Sequence, residues 1–429
     1  MAEYQEISFR YGSGTLRLSV PSQYPFETLL PRSIPALNDP VSAIRAALAE
    51  PMGTPPLRKC LHPGERVAIL VNDITRLVHS DVFLPILIDE MNACGIPDRD
   101  IFIVFALGLH RTLSAEERCH IVGEGIARRI ALYDHDCRAR ENLVLLGRTS
   151  RGNEVWINRR VHEADRVVLT GEIIYHQIAG YSGGRKSLVP GVAGADTINF
   201  NHRLILDPNC RPGLLEGNPA HEDLLEACQL FDPDFLLNVV LSPSGEWVRV
   251  VAGHYDLAHR AGCETVDQLC RIPIGEAYDM VLASAGGFPL DIDLRQAHKG
   301  MENAARALRS GGVLIYFAEC PDGTGSRLID EWVQKYSDTQ EMERELRSHF
   351  VVGAHKAYWL ARLGDRVKVL LVSNLPENLV RKCHLHPVSD PNNALADELR
   401  RLGAGPRIAY IPYAGITLPQ PADEQTFAA

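Results

Sequence analysis

No apolar run in this sequence approaches the roughly 20 residues that a membrane span needs. Its opening residues, MAEYQEISFRYGSG, lack a basic segment followed by an apolar core, so no secretory leader is expected. No cluster of lysine and arginine stands out, and the formal net charge is −10. That balance argues against a polyanion-binding surface and sets aside nucleic acid as a partner. The ten cysteines are scattered, and none falls in a Cys-x-x-Cys pair. They read as reduced, mostly buried thiols of a cytoplasmic protein, which leaves a thiolate zinc site without support. Internal repeats and low-complexity segments are also lacking. What remains is a globular composition, 45% hydrophobic and 23% charged, spread over 429 residues. That length exceeds one ordinary core and favours two domains.

Hydrophobic patterning predicts an α/β fold. Residues 5–20 alternate around Tyr11-Gly12-Ser13-Gly14, the pattern of a hairpin. Asp39-Pro40 leads into a helix over Val41–Glu50. Val67–Val71 reads as a buried strand ending in Asn72-Asp73-Ile74-Thr75-Arg76, and a helix over Phe83–Cys94 follows. Asp100–Ala106 repeats the pattern and ends in Gly108-Leu109-His110-Arg111, with Ser114 and Glu117 forming a capping box for the next helix. Val155–Asn158 and Arg166–Leu169 are further strands. A boundary is expected at Arg271-Ile272-Pro273, followed by strands at Met280–Ala283, Val313–Phe317 and Val367–Ser373 and a helix over Leu294–Leu308. Two domains are therefore expected, each a mostly parallel sheet flanked by helices, with the active site in the cleft between them. Residues 1–270 would form the first and 271–405 the second. The tail, 406–429, would carry a short strand (Arg407–Pro412) back to the first. In such sheets, ligands lie beyond the carboxyl ends of the strands.

The unusual polar residues fall at those ends. The most concentrated stretch follows the strand at Arg166–Leu169: the glycine-rich GEIIYHQIAGYSGGRKSLVPGVAGADTINFNH, from Gly171 to His202. Glycines such as Gly183 and Gly184 let a backbone approach a ligand closely. Lys186 among them can hold a phosphate or act as a nucleophile. His176 and His202, on either side, can serve as acid/base groups or metal ligands. A phosphate-binding loop with incidental histidines is the plainer reading. A nucleotide-triphosphate loop is a near miss, because Arg185 stands where the glycine before Lys186-Ser187 should be. Arg76 can pair bidentately with a carboxylate or phosphate, or simply form an interdomain salt bridge. His110 alone is more often structural than catalytic. In Gly286-Gly287-Phe288-Pro289-Leu290-Asp291-Ile292-Asp293-Leu294-Arg295-Gln296-Ala297-His298-Lys299-Gly300, either aspartate can cap the helix. Arg295, Gln296 and Lys299 then share its first two turns and suit an anion, unless they are a solvated face. His298 falls off that face.

HQIAGYSGGRKSLVPGVAG followed by His202 resembles the signature of the lactate racemase family. The same order of motifs continues with Asp73, Thr75 and Arg76 in a DxTR segment, His110 in a GxHR segment, and Gln296 and Lys299 after a proline-containing turn. The resemblance implies a racemase of 2-hydroxy acids that uses a nickel-pincer nucleotide, a pyridinium mononucleotide whose sulfur-bearing carbonyl groups and ring carbon grip nickel. It implies that Lys186 forms the covalent link to that cofactor and that His202 is the protein's nickel ligand. Asp73, Thr75, Gly183, Gly184 and Arg185 would line the cofactor. His110 and His176 would be the acid/base pair, one for each enantiomer, and Arg76, Arg295, Gln296 and Lys299 would bind substrate.

Chemistry explains why such groups are needed. The C–H bond beside a carboxylate is hard to deprotonate, whereas removing the hydrogen as hydride yields a planar 2-keto acid and leaves the hard step to a cofactor. Arg295 departs from the aromatic residue that family members acting on lactate carry there. A second carboxylate would satisfy it, so malate is the expected substrate, ahead of lactate and other 2-hydroxy acids. The cofactor-making enzymes would be needed for activation, no membrane partner is expected, and a homo-oligomer is possible. A lysine-based enzyme with another aldehyde or nucleotide cofactor, or a non-enzymatic nucleotide-binding or cofactor-storage protein, are the competing readings.

Overall fold

The computed structural model describes residues 3–76 and 78–422. Contacts divide the chain into two compact units, Ser33–Leu269 and a second made of the described residues up to Arg32 together with those from Cys270 onward. The chain opens in the second unit. Strands β1 (Tyr4–Tyr11) and β2 (Gly14–Pro21) pair antiparallel as the expected hairpin, and β3 (Phe26–Thr28) follows.

In the Ser33–Leu269 unit, β4 (Val67–Val71), β5 (Ile101–Phe105) and β6 (Ala131–Asp134) are parallel neighbours. The hairpin β7 (Leu143–Arg148) and β8 (Glu154–Asn158) stands apart from that sheet. β9 (Arg166–Glu172) pairs parallel with β4, and the short β10 (Tyr175–His176) and β11 (Gly180–Tyr181) pair with each other. β12 (Phe235–Leu241) and β13 (Trp247–Gly253) complete the sheet, with only the last pair antiparallel. Among the described residues its order is β13-β12-β9-β4-β5-β6. Every residue of β4 and β5 is buried. Strands covered on both faces read as unbroken apolar runs, which is why they are legible in the sequence. Ser114 and Glu117 form the capping box that the spacing predicts.

The other unit resumes with β14 (Arg271–Ile274) and β15 (Tyr278–Ser284), then β16 (Leu308–Phe317), β17 (Lys368–Val372), β18 (His386–Pro387), β19 (Ile408–Ile411) and β20 (Leu418–Pro421). Among the described residues its main sheet is parallel throughout, in the order β18-β17-β16-β15-β19-β3.

Two expectations about chain order are corrected. The N-terminal hairpin does not belong to the unit that follows it. Phe9 stacks on Phe317 at 4.0 Å, and Ile7, Leu18 and Val20 share a core with Met280, Leu282 and Ile315. The tail does not return to the Ser33–Leu269 unit either. β19 is held between β15 and β3, and β20 pairs with β14. A hairpin's inward face fits any apolar surface, so alternation alone does not choose its partner.

Candidate active site

The glycine-rich segment leaves β9 and folds into a tight loop beside β12. Gly183 and Gly184 have φ of +69° and +56°, and an added Cβ would lie 2.7 Å from Asn238 Oδ1 and 2.7 Å from the His259 ring, respectively. Both positions therefore demand glycine. Asn238, fully buried in β12, accepts the Gly184 N–H at 2.7 Å through its side-chain oxygen. Ser182 Oγ donates to Glu172 O at 2.8 Å, and Ser187 Oγ donates to Thr170 O at 2.6 Å. These bonds fasten both ends of the loop to the sheet, so that Lys186 is presented from a short 3₁₀ turn, Gly184–Ser187.

Arg185 has a different task from the one expected. Its side chain is 1% exposed and turned into the interior. Nη2 donates to Ala179 O at 2.8 Å, and Nη1 lies 3.0 Å from His259 Nε2. The guanidinium is spent on the scaffold rather than on a ligand. It makes no ion pair with a described residue, and burial pulls its pKa down to about 10, against the opposing pull of Cys263 and Asp256. Such a charge is tolerated only because its donors are largely matched.

Lys186 keeps part of its surface accessible, yet its amine is enclosed deeply enough that burial, with the nearby charges of Arg185 and Arg76, holds its pKa well below that of an ordinary lysine. The amine makes no hydrogen bond or ion pair with a described residue. A lysine in this setting gives up its proton, and so exposes its nucleophilic lone pair, more readily than an exposed one. His202 sits in the last turn of the helix Ala195–Arg203, which is pinned by Asn201 Nδ2 donating to Ala220 O and to Asp223 Oδ2. His202 Nδ1 lies 2.8 Å from Ile198 O, so it carries the proton and donates it, leaving Nε2 with a lone pair. Burial and the neighbouring Lys186 lower the His202 pKa to about 4. The ring is thus a neutral ligand across the ordinary pH range.

Asp73, Thr75 and Arg76 follow β4, and His110 follows β5. Asp73 is buried, and its Oδ2 takes the Nδ1–H of His110. Its Oδ1 accepts the Thr75 hydroxyl at 2.5 Å and the Thr75 N–H at 3.1 Å. Burial alone would raise the Asp73 carboxyl, but the His110 and Thr75 hydrogen bonds outweigh it and hold the pKa below the usual value. The His110 side chain is 60% exposed, so its Nε2 faces outward as a base. The structure therefore gives Asp73 and Thr75 an orienting duty toward His110 in addition to any cofactor contact. Arg76 makes no ion pair or side-chain hydrogen bond with a described residue.

His176 is held in the opposite sense. Its Nδ1 accepts the backbone N–H groups of Ile178 at 3.2 Å and Ala179 at 3.1 Å. The neutral ring must then carry its proton on Nε2. Glu172, at the end of β9, is a residue the motifs do not flag. Its carboxyl makes no hydrogen bond or ion pair with a described residue, and burial raises its pKa to about 7 against the pull of Arg76.

In the other unit, Asp293 caps the helix Leu294–Ala305, accepting the Gln296 N–H at 2.7 Å. Asp291 instead binds the backbone N–H groups of Gly12 and Glu319. Lys299 Nζ donates to Gln296 Oε1 at 2.6 Å, and exposed Arg295 lies 3.4 Å from Asp293. The expected grouping of Arg295, Gln296 and Lys299 on the first two turns is thus present. His298, fully buried, packs against Trp359.

Among the described residues, no group of three or more His, Cys, Asp or Glu could hold a metal ion. His202 would offer a metal one imidazole nitrogen, with the Lys186 amine near enough to act on its pKa.

Two family models match most of the chain. The lactate racemase N-terminal domain matches residues 11–213 and the lactate racemase C-terminal domain residues 275–418. The lactate racemase of Thermoanaerobacterium thermosaccharolyticum is 34% identical over 359 residues, covering 82% of this chain and 84% of that protein. The lactate racemase of Lactiplantibacillus plantarum is 30% identical over 376 residues, covering 86% and 88%. The solved lactate racemase apoprotein from T. thermosaccharolyticum superposes with a TM-score of 0.89 at 32% identity, over 97% of this chain and 100% of that one. A Thermotoga maritima protein shares the fold, with a TM-score of 0.62 at 19% identity over 89% of this chain and 98% of that one. The chain is an α/β isomerase of the racemase type. It belongs to the lactate racemase family.

Proposed function

We propose that this protein racemises a dicarboxylic 2-hydroxy acid, with malate as the substrate, at a nickel-pincer nucleotide tethered to Lys186. When bound, that cofactor supplies a hydride acceptor and donor, so inversion passes through a planar 2-keto acid. The lowered pKa of the Lys186 amine and the Nε2 lone pair of His202 support this reading, since they suit acylation and nickel ligation respectively.

The remaining work falls to the chain's own side chains. His110 takes the hydroxyl proton at Nε2, and the Asp73 carboxylate steadies the imidazolium that results. His176 presents Nε2–H to the substrate oxygen as a hydrogen-bond donor, and the His110 imidazolium gives its proton back to that oxygen as the keto group is reduced to the inverted alcohol. Arg76, Gln296 and Lys299 bind the carboxylate next to the reacting carbon, and Arg295 binds the second one. The observation that carries the malate reading is Arg295, an exposed cation whose sole ion pair among the described residues is the 3.4 Å contact to Asp293.

The test is racemisation of enantiopure malate and lactate, side by side, by protein loaded through co-expression with the cofactor-making enzymes. Malate should be the better substrate by kcat/KM. A strong preference for lactate rejects the dicarboxylate reading and leaves a lactate or other 2-hydroxy acid racemase in its place.

A further inference from the structure

The helix Leu257–Cys270 lies against the start of the glycine-rich segment. An added Cβ at Gly262 would fall 2.2 Å from Ile173 Cδ1. Near the beginning of this helix, His259 Nε2 donates to Ser182 O at 2.8 Å, just ahead of the turn that carries Lys186. About two turns further along, Asp267 Oδ1 accepts the hydroxyl of Tyr175 at 2.8 Å and that of Tyr181 at 2.6 Å. One helix therefore holds both the lysine turn and the ribbon that bears His176, through different residues.

That ribbon is small. In the β10–β11 pair, Tyr175 stands opposite Tyr181 and His176 opposite Gly180. So short a strand pair has little stability of its own, and outside contacts must set its tilt. Successive side chains along a strand point to opposite faces. With Tyr175 turned to Asp267, His176 leaves from the other face. The two phenol rings lie together on the helix side, their centroids 5.4 Å apart. The tip of the ribbon is tied separately, by Asn218 Nδ2 donating to Ile178 O at 2.8 Å.

We propose that Asp267 is a positioning residue for His176, gripping one face of the ribbon so that the imidazole on the other face is aimed. This rests on the reading of His176 as a donor to the substrate oxygen and adds the group that directs it. Both hydroxyls meet a single carboxylate oxygen, so the two strands are drawn to one point and the ribbon resists rolling. Aim matters because a displacement of about 1 Å in a reacting geometry can cost roughly 10²-fold in rate. His259 serves the lysine turn independently, so loss of Asp267 should disturb His176 while leaving Lys186 in place.

The experiment is a double-mutant cycle between Asp267→Ala and His176→Ala in the cofactor-loaded full chain, with intact mass, nickel content and ¹⁵N spectra measured alongside turnover. Asp267→Ala should lower kcat by roughly 10- to 100-fold and change KM by no more than about twofold. It should keep the Lys186 adduct and the metal. His176 should still carry its proton on Nε2, since Ile178 and Ala179 hold Nδ1 from within the ribbon. Placed in a His176→Ala background, Asp267→Ala should cost little more, because it acts through the ring already removed. Asp267→Asn, which retains an acceptor oxygen, should keep most of the activity. Tyr175→Phe with Tyr181→Phe, which leaves both rings, should reproduce the loss. Unchanged kcat in Asp267→Ala, losses that add across the cycle, or loss of adduct and activity together overturns the inference. If His176→Ala itself turns over like wild type, the reading of His176 falls and Asp267 with it. If His176→Ala is impaired while Asp267→Ala is not, only the role of Asp267 falls.

Discussion

The carboxylate of Asp73 holds Nδ1 of His110 while Thr75 holds the other Asp73 oxygen, so the ring's Nε2 is fixed outward as a proton acceptor. Replacing Asp73 with Asn would remove the charge and release the tautomer. Turnover by Asp73→Asn should fall by roughly 10²–10⁴-fold, with KM changed far less. Steady-state kinetics on loaded enzyme measures this, and an unchanged kcat would show that His110 needs no such partner.

His110 and His176 are held in opposite tautomers, and that asymmetry can be observed directly. In ¹⁵N-labelled protein above neutral pH, His110 should carry its proton on Nδ1 and His176 on Nε2. A glutamine amide can still donate a hydrogen bond but cannot accept a proton. His176→Gln should therefore keep more activity than His110→Gln, by roughly tenfold or more. Equal losses would mean that both rings exchange protons in the same way.

Glu172 should make substrate binding depend on pH. With a pKa of about 7 the carboxyl is neutral below that pH, and above it becomes an anion beside Arg76. The charged form competes with a substrate carboxylate, so KM should rise as pH climbs through 7, and Glu172→Gln should flatten the rise. Stability follows the same group. The folded carboxyl keeps its proton to about 7, whereas an exposed glutamate loses it near about 4.3. The folded chain thus binds more protons between those values and loses stability as pH rises across the window. Denaturant titrations of wild type and Glu172→Gln at several pH values check the sign.

His202 titrates the other way. The folded ring resists protonation down to about 4, whereas a free histidine charges near about 6.5. Between those values the unfolded chain binds more protons, so stability is lost as pH falls through the window. For the same reason bound nickel should be retained from neutral pH down to mildly acid conditions. Metal analysis after dialysis at stepped pH tests this, and release near the pKa of an ordinary histidine would contradict it.

Much of this was legible in the sequence because the parallel strands are buried on both faces and the polar residues cluster just past their ends. Asp73, His110, His176, Lys186 and His202 are all visible in that way. The partner of the N-terminal hairpin was not, since Ile7, Phe9, Leu18 and Val20 fix an inward face without naming what it packs on. The family resemblance assigns Arg185 to the cofactor, and only the fold shows its guanidinium turned toward His259. Asn238 and Glu172 carry no motif. Each matters through what lies beside it: the Gly184 N–H and Arg76.

The central claim is that the Lys186 amine carries a nickel-bearing nucleotide. Intact mass and metal analysis of protein co-expressed with the cofactor-making enzymes tests it most directly. Wild type should show a covalent adduct that maps to Lys186, together with bound nickel. Lys186→Ala should lack the adduct, and His202→Ala should keep the adduct but lose the metal. An adduct that persists in Lys186→Ala, or active protein with an unmodified Lys186, would contradict the claim.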